Sequence, residues 1–144
     1  MKIRKPTPAG AVLAGVVLVL SLALVPTAFA GKGGGGGHGG GTISSPIMVV
    51  DKNGDGLPNF GDTITFTVST SASFPSVQLA CYQNGTLVYT ATKGFYPTYM
   101  WSDNYLLEGG YWSGGAASCT ATLYNTSKNG SNTTLATLSV PVAA

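Results

Sequence analysis

Twelve consecutive residues, 51 to 62, combine oxygen-donor side chains with glycines in a pattern suited to holding a cation. The segment is D-K-N-G-D-G-L-P-N-F-G-D, and it fits the calcium-loop pattern D-x-[DN]-x-[DN]-G-x5-E except that Asp replaces the final Glu. Oxygens at alternate positions of a tightly wound loop converge on one point, and a Gly after the third ligand permits the sharp turn. We therefore predict Ca²⁺ ligands at Asp51, Asn53, Asp55, the Leu57 carbonyl, Asn59 and Asp62.

This acidic loop (residues 51–62) also has an interpretation that needs no ion. Asn53-Gly54, Asp55-Gly56 and Asn59 can form Asx turns and supply positive φ in a wide hairpin. The side chain of Asp62 is shorter than that of Glu, which weakens the fit to the calcium pattern. Against this, three of the five carboxylates after residue 30 lie in the loop, and a cation would offset their repulsion. A bound Ca²⁺ would have a structural role, because millimolar extracellular calcium fills even weak sites.

A second group of chemically capable residues is the aromatic segment from Phe95 to Trp112. It holds seven of the thirteen aromatic residues after residue 30. Large rings of this kind can fill a core and anchor a crossover between sheets. Exposed rings beside polar groups such as Asp103 instead suit sugar rings or aromatic-rich partners. The candidate ligand-binding residues are Tyr96, Tyr99, Trp101, Tyr105 and Trp112.

Catalysis is not predicted from this sequence. The only His is His38, which lies among glycines, so a serine triad lacks its base and a metal site lacks a second ligand nearby. Outside the acidic loop, Asp103 and Glu108 are the only two carboxylates, five positions apart in an irregular segment. We therefore expect a non-catalytic protein.

The two cysteines predict a disulfide. Cys81 alternates in register with Val77 and Leu79, and Cys119 does so with Ala121 and Leu123, so both side chains should point inward. Two inward thiols of an exported protein are expected to oxidise, although two unpaired buried thiols are the alternative. Closing this loop would restrict the unfolded chain by about 4 kcal/mol.

Strands with period-two alternation must position these groups. Thr63 to Ser69 alternates apolar and hydroxyl side chains, as a half-buried antiparallel strand does. Asn84-Gly85 joins two further strands, because this pair adopts the positive φ of a two-residue hairpin turn. The remaining predicted strands are 47–50, 116–124 and 133–142, with an irregular or strand-like stretch at 99–107. About seven strands in residues 42–144 predict one all-β antiparallel β-sandwich domain.

The order of these features resembles the small immunoglobulin-like domains of secreted bacterial proteins. The resemblance rests on a strand, the D-x-N-x-D-G loop, the Gly-Asp-Thr entry into the next strand, the inward cysteines and the terminal Leu-Ser-Val-Pro-Val strand. It departs from antibody-type domains in placing the cysteines on the third and penultimate strands. It implies a structural or adhesion role with an unknown extracellular protein or carbohydrate as partner. The alternative is a carbohydrate-binding module that uses residues 95–112.

The first forty-one residues predict export. A basic start, an apolar run of 15 residues from Ala11 to Val25 and the sequence Ala28-Phe29-Ala30 form a secretory signal peptide over residues 1–30. The run is shorter than the roughly 18–20 residues of a membrane-spanning helix, although an uncleaved anchor is the alternative. Residues 31–41 hold nine Gly, so a disordered linker is expected. We predict a secreted protein with no membrane span after signal cleavage.

The charge of the exported part excludes two classes of partner. Lys2, Arg4 and Lys5 belong to the leader, which leaves four Lys, no Arg and five carboxylates after residue 30. A chain with a net charge near −1 has no basic surface for phosphate backbones, so no nucleic acid partner is expected. Docking on anionic membranes through a basic patch is excluded for the same reason.

Overall fold

A computed structural model describes residues 40–144, and these residues form antiparallel β-sheets without helix. The predicted signal peptide and residues 31–39 of the linker lie outside the described residues. Residues 40–144 contain no helix of the length and hydropathy needed to cross a membrane. The strands are β1 (Gly41–Ile43), β2 (Ile47–Val50), β3 (Thr63–Thr65), β4 (Val68–Thr70), β5 (Pro75–Gln83), β6 (Thr86–Gly94), β7 (Tyr105–Leu106), β8 (Ala117–Thr126) and β9 (Asn132–Val142).

Three groups of strands are paired in the described part of the chain. The largest sheet has the order β6-β5-β8-β9, a second has the order β2-β3-β7, and β1 pairs with β4. The count exceeds the predicted seven partly because Thr63 to Ser69 is two strands rather than one. The break is caused by hydrogen bonds to Ser44. The Thr67 N–H donates to Ser44 Oγ at 2.8 Å, while the Ser44 N–H donates to the Thr67 carbonyl at 2.9 Å. The Ser44 side chain thus replaces a main-chain acceptor in the ladder.

The predicted hairpin at Asn84-Gly85 is confirmed. β5 and β6 pair along their length, from Ser76 opposite Gly94 to Gln83 opposite Thr86. Asn84 and Gly85 have φ values of 49° and 80°. Two consecutive positive φ values match the right-handed twist of the flanking strands, so this turn sets the pairing of Gln83 with Thr86 at the start of the hairpin.

One hydrophobic core is shared by the sheets. Ile64 and Tyr105 of the β2-β3-β7 sheet and Val77, Leu123 and Val140 of the largest sheet are all fully buried in the same cluster. This arrangement is compatible with a β-sandwich, in which the inward faces of two sheets interdigitate.

The predicted disulfide between Cys81 and Cys119 is confirmed. The two residues are directly opposite on the neighbouring strands β5 and β8, with a Cα–Cα distance of 3.9 Å. The bond therefore joins two strands of one sheet and closes a separation of 38 residues. Both cysteines are buried, so the bond belongs to the core.

The two ends of the domain carry different features. The acidic loop joins β2 to β3 at one end of the domain. The paired residues Gly41 of β1 and Thr70 of β4 lie at the opposite end. Residues after β6 begin at that far end too, because the Phe95 N–H donates to the carbonyl of Pro75, which starts β5. At the loop end, the Ala143 N–H donates to the Pro58 carbonyl at 2.8 Å. The acidic loop and the aromatic segment therefore start from opposite ends.

Candidate functional site

The first half of the acidic loop winds around Asp51. The Gly54 and Gly56 amides donate to the two carboxylate oxygens of Asp51 at 2.7 and 2.8 Å. Both glycines have φ of 74°, a left-handed conformation that side chains with a Cβ rarely adopt. The Asx turns expected at Asn53 and Asp55 are present, because these side chains accept the Asp55 and Leu57 amides at 3.2 and 2.8 Å, whereas the one expected at Asn59 is not formed.

Asp55 collects hydrogen bonds in the middle of the loop. Its carboxylate accepts the Leu57 N–H at 2.8 Å, the Asn53 side-chain amide at 3.0 Å and the Asn59 side-chain amide at 3.0 Å. The Leu57 N–H is the main cause that lowers the pKa of Asp55, desolvation opposes it, and the Asn59 and Asn53 amides add to it. Because the group is exposed to solvent, water screens this effect.

Asn59 is a buried residue in the second half of the loop. Its Nδ2 atom lies 3.0 Å from both oxygens of Asp55 and 3.0 Å from the Leu57 carbonyl. Its Oδ1 atom is buried and has no hydrogen-bond partner. A buried acceptor without a donor is costly, by about 1–3 kcal/mol. Three oxygens thus converge on one amide group whose own oxygen is unsatisfied.

Asp62 has a different position from the other predicted ligands. It is buried, and its two oxygens accept the Lys52 and Asn59 main-chain amides, each at 2.9 Å. These bonds hold the two ends of the loop together. Within residues 40–144, no three His, Cys, Asp or Glu side chains gather closely enough to form a metal-binding group. The structure therefore brings Asn53, Asp55, Leu57 and Asn59 together. Asp62 is instead a brace, by which we mean a side chain that links the two ends of the loop through main-chain hydrogen bonds.

Two of the five candidate aromatic residues lie in the core. Tyr105 is fully buried and donates its hydroxyl to the Val77 carbonyl at 2.8 Å. Burial raises the pKa of Tyr105 far above its usual value, with smaller contributions from nearby tyrosines and Asp103. Trp112 is buried against Phe60, with ring centroids 5.4 Å apart, and donates to the Gly115 carbonyl. A ligand at the surface cannot stack on either ring, so both are left out of the binding surface described next.

The other three candidates, with Phe74, form a row of exposed or half-exposed rings. Phe74 contacts Tyr96, Tyr96 contacts Tyr99, and Tyr99 contacts Trp101, with centroid distances of 5.4, 5.5 and 5.4 Å. All three contacts are edge-to-face. Trp101 keeps 68% of its surface exposed and Phe74 keeps 56%. Rings that contact one another in this way are held in fixed orientations although they face solvent.

An open groove of about 470 Å³ runs along three of these rings. We call it the aromatic groove, and it is lined by Val68, Gly94, Phe95, Tyr96, Pro97, Tyr99, Trp101 and Asp103. Its volume is in the range of small-molecule binding sites. The Thr65 hydroxyl donates to the Asp103 carbonyl at 3.3 Å, which ties this wall of the groove to β3.

Two residues of this region were missed in the sequence. Phe74 lies outside the aromatic segment, and the pairing of β5 with β6, continued by the hydrogen bond between Phe95 and Pro75, brings it beside Tyr96. Gly94 ends β6 and lies under the rings of Tyr96 and Tyr99. Aromatic residues before Pro are common in sequences, and so are glycines at strand ends. Neither residue could therefore be recognised as part of a binding surface without the tertiary structure.

No protein family, no curated protein and no solved structure matches this chain.

Proposed function

We propose that this protein is an exported, non-catalytic module with an immunoglobulin-like β-sandwich fold and an extracellular adhesion or interaction role. We further propose that its ligand is a carbohydrate bound in the aromatic groove. The observation that carries the proposal is the row Tyr96, Tyr99 and Trp101 beside a groove of about 470 Å³.

The strand order supports the immunoglobulin-like part of the proposal. If β1 with β2, and β3 with β4, are each one interrupted strand, the chain forms seven strands in sheets β2-β3-β7 and β6-β5-β8-β9. Sequential strands that alternate between two antiparallel sheets in this way are typical of immunoglobulin-like sandwiches. The disulfide within the larger sheet differs from the bond between sheets in antibody domains.

Exposed rings support carbohydrate as the ligand class. A solvent-exposed Trp101 buries apolar area only when a ligand covers it, and planar rings suit the C–H faces of sugars. Hydroxyl and carboxylate groups at Ser102 and Asp103 can bond sugar hydroxyls at the edge of the groove. A glycosidase needs two carboxyl groups around the scissile bond, and Asp103 is the one carboxylate among the described residues that line the groove. Binding without hydrolysis fits this composition.

Titration with soluble glycans tests the carbohydrate proposal. Trp101→Ala should weaken binding of any glycan ligand about tenfold or more, since a stacked ring contributes on the order of 1 kcal/mol beyond its buried area. Tyr111→Ala is the matched control, because Tyr111 is 88% exposed and lies outside the groove. Equal affinities for the two variants, or no binding across neutral and charged glycans, would reject the proposal.

A second proposal is that the acidic loop binds a structural Ca²⁺ ion through Asp55, the Leu57 carbonyl and Asn59, with Asp51 and Asn53 beside them. The buried, unpartnered Asn59 Oδ1 favours it. A half-turn of the Asn59 amide would place this oxygen where Nδ2 now meets Asp55 and Leu57, and four oxygens suit a hard cation. Asp62 would act as the brace rather than the final ligand. The ion would supply positive charge that stabilises the loop and no chemistry.

Thermal unfolding with EDTA and with millimolar Ca²⁺ tests the ion. The native protein should gain several degrees in Tm with calcium, because a ligand that binds only the folded state stabilises it. Asp55→Asn should abolish this gain. Asp103→Asn removes the same charge outside the acidic loop and should keep the gain. If neither calcium nor EDTA changes the native Tm, the loop is an ion-free turn.

A further inference from the structure

We propose that the aromatic groove selects glycans that carry protonated amino groups, of which glucosamine polymers are the simplest. This proposal rests on the carbohydrate binding proposed above and specifies the charge of the ligand. Its basis is the combination of one carboxylate with three rings in a groove whose described lining contains no lysine.

The charge of the groove favours a cation. Among the described residues that line it, Asp103 carries the one charged side chain, and this residue is exposed. Lys93 precedes Gly94 on β6 and pairs with the buried Val77, whereas Gly94 pairs with Ser76. Lys93 is not among the described residues that line the groove. This lining therefore offers the carboxylate of Asp103 no neutralising lysine.

The rings add attraction of the same sign. The face of an aromatic ring carries negative quadrupole charge, and Trp is the strongest partner for an ammonium group. The planes of Tyr96 and Tyr99 differ by 68°, and those of Tyr99 and Trp101 differ by 64°. A sugar stacked on one ring can therefore bring an ammonium substituent against a neighbouring ring. Asp103 lines the same groove, and its negative charge attracts that substituent.

Anionic glycans should be disfavoured for the same reason. A uronic acid in the groove would place a carboxylate near Asp103 with no basic residue of the lining to offset the repulsion. Neutral glycans would stack without gaining the charge interaction. The expected order of affinity is amino sugar, then neutral sugar, then acidic sugar.

Calorimetric titration with three hexasaccharides of the same linkage tests whether amino sugars bind more tightly than neutral ones. The hexamers are those of glucosamine, N-acetylglucosamine and glucose, at a pH where the glucosamine amine is protonated and at low salt. We expect glucosamine to bind about fivefold to tenfold tighter than glucose, since an exposed ion pair and a cation–π contact each contribute modestly. Asp103→Asn should reduce this ratio to about twofold, and the ratio is compared within each variant because Asp103 can also bond the hydroxyls of glucose. Glu108→Gln removes an exposed carboxylate outside the groove and should leave the ratio unchanged.

The outcomes separate this proposal from the one on which it rests. Tighter glucosamine binding that is reduced by Asp103→Asn and by salt, but not by Glu108→Gln, supports both. If glucose and N-acetylglucosamine bind as tightly as glucosamine, the cation preference is overturned and carbohydrate binding stands. If Glu108→Gln lowers the ratio as much as Asp103→Asn, the attraction is a general charge effect and the proposal fails. If no hexamer binds, both proposals fail.

Discussion

Gly94 decides whether two tyrosines of the aromatic groove can lie against the backbone of β6. A Cβ at this position would lie 2.4 Å from Tyr99 Cδ2 and 2.6 Å from Tyr96 Cε1. Both neighbours are ring atoms, which cannot move without turning the whole ring. The groove therefore depends on the absence of a side chain at the end of β6.

We predict that Gly94→Ala displaces the Tyr96 and Tyr99 rings and abolishes glycan binding. Overpacking of this kind costs about 1–3 kcal/mol of stability, so the domain should stay folded. Gly110→Ala is the control, because no atom lies within 4 Å of a Cβ there. Trp101 fluorescence and glycan titration would measure the effect. Retained binding in Gly94→Ala would show that the rings are not held by this contact.

We predict that the protein loses stability in alkali because of buried tyrosines, above all Tyr105. Burial raises its pKa far above its usual range and raises the pKa of Tyr89 to about 12. In the unfolded chain both groups ionise near pH 10, whereas the folded protein keeps them protonated. Stability is therefore complete below pH 10 and is lost as the pH rises toward the folded values.

Denaturant unfolding between pH 8 and pH 11 would measure this loss. Tyr105→Phe should be less stable near neutrality, because the Val77 carbonyl loses its hydroxyl donor, but its stability should fall less with pH. Part of the slope should remain from Tyr89. An unchanged pH dependence in Tyr105→Phe would contradict the assignment.

At the scale of elements, the acidic loop contains two carboxylates that should differ in how much they stabilise the fold. Asp51 and Asp62 each accept two main-chain amides, but Asp51 is partly exposed and Asp62 is buried. In EDTA we predict that Asp62→Ala loses about 3 kcal/mol, because the buried Asn59 amide and the part-buried Lys52 amide lose their acceptor. Asp51→Ala should lose less, because water can replace the carboxylate. Equal losses in chemical denaturation would contradict the structural role of Asp62.

Local signals in the sequence predict some elements and not others. The Asn84-Gly85 turn was predictable because its positive φ values depend on those two residues alone. The break between β3 and β4 was not, since it depends on Ser44, more than twenty residues earlier in the chain. The same limit applies to the aromatic candidates. Tyr96 and Tyr105 are chemically identical in the sequence, and only the packing of β7 into the core separates them.

At the scale of the whole molecule, the disulfide stabilises a domain that has few charged residues. We predict that Cys81→Ala with Cys119→Ala lowers the free energy of unfolding by about 4 kcal/mol, from the loop entropy of the 38-residue separation. The denaturant m value should rise, because the unlinked chain exposes more surface when unfolded. Reduced native protein is the control, as it keeps both sulfur atoms in the core. Equal stability of oxidised and reduced protein would contradict the prediction.

The opposite positions of Gly41 and Ala143 have a mechanical consequence. Gly41 pairs with Thr70 at one end, while Ala143 bridges to Asn59 at the other, so tension between them pulls lengthwise along the strands. Their main-chain hydrogen bonds are then loaded in shear, many at once, rather than opened one after another. Once the sheets separate, the bond between Cys81 and Cys119 keeps the chain between these residues from extending. This 38-residue separation corresponds to about 130 Å of contour length. Single-molecule stretching should release that length only after reduction.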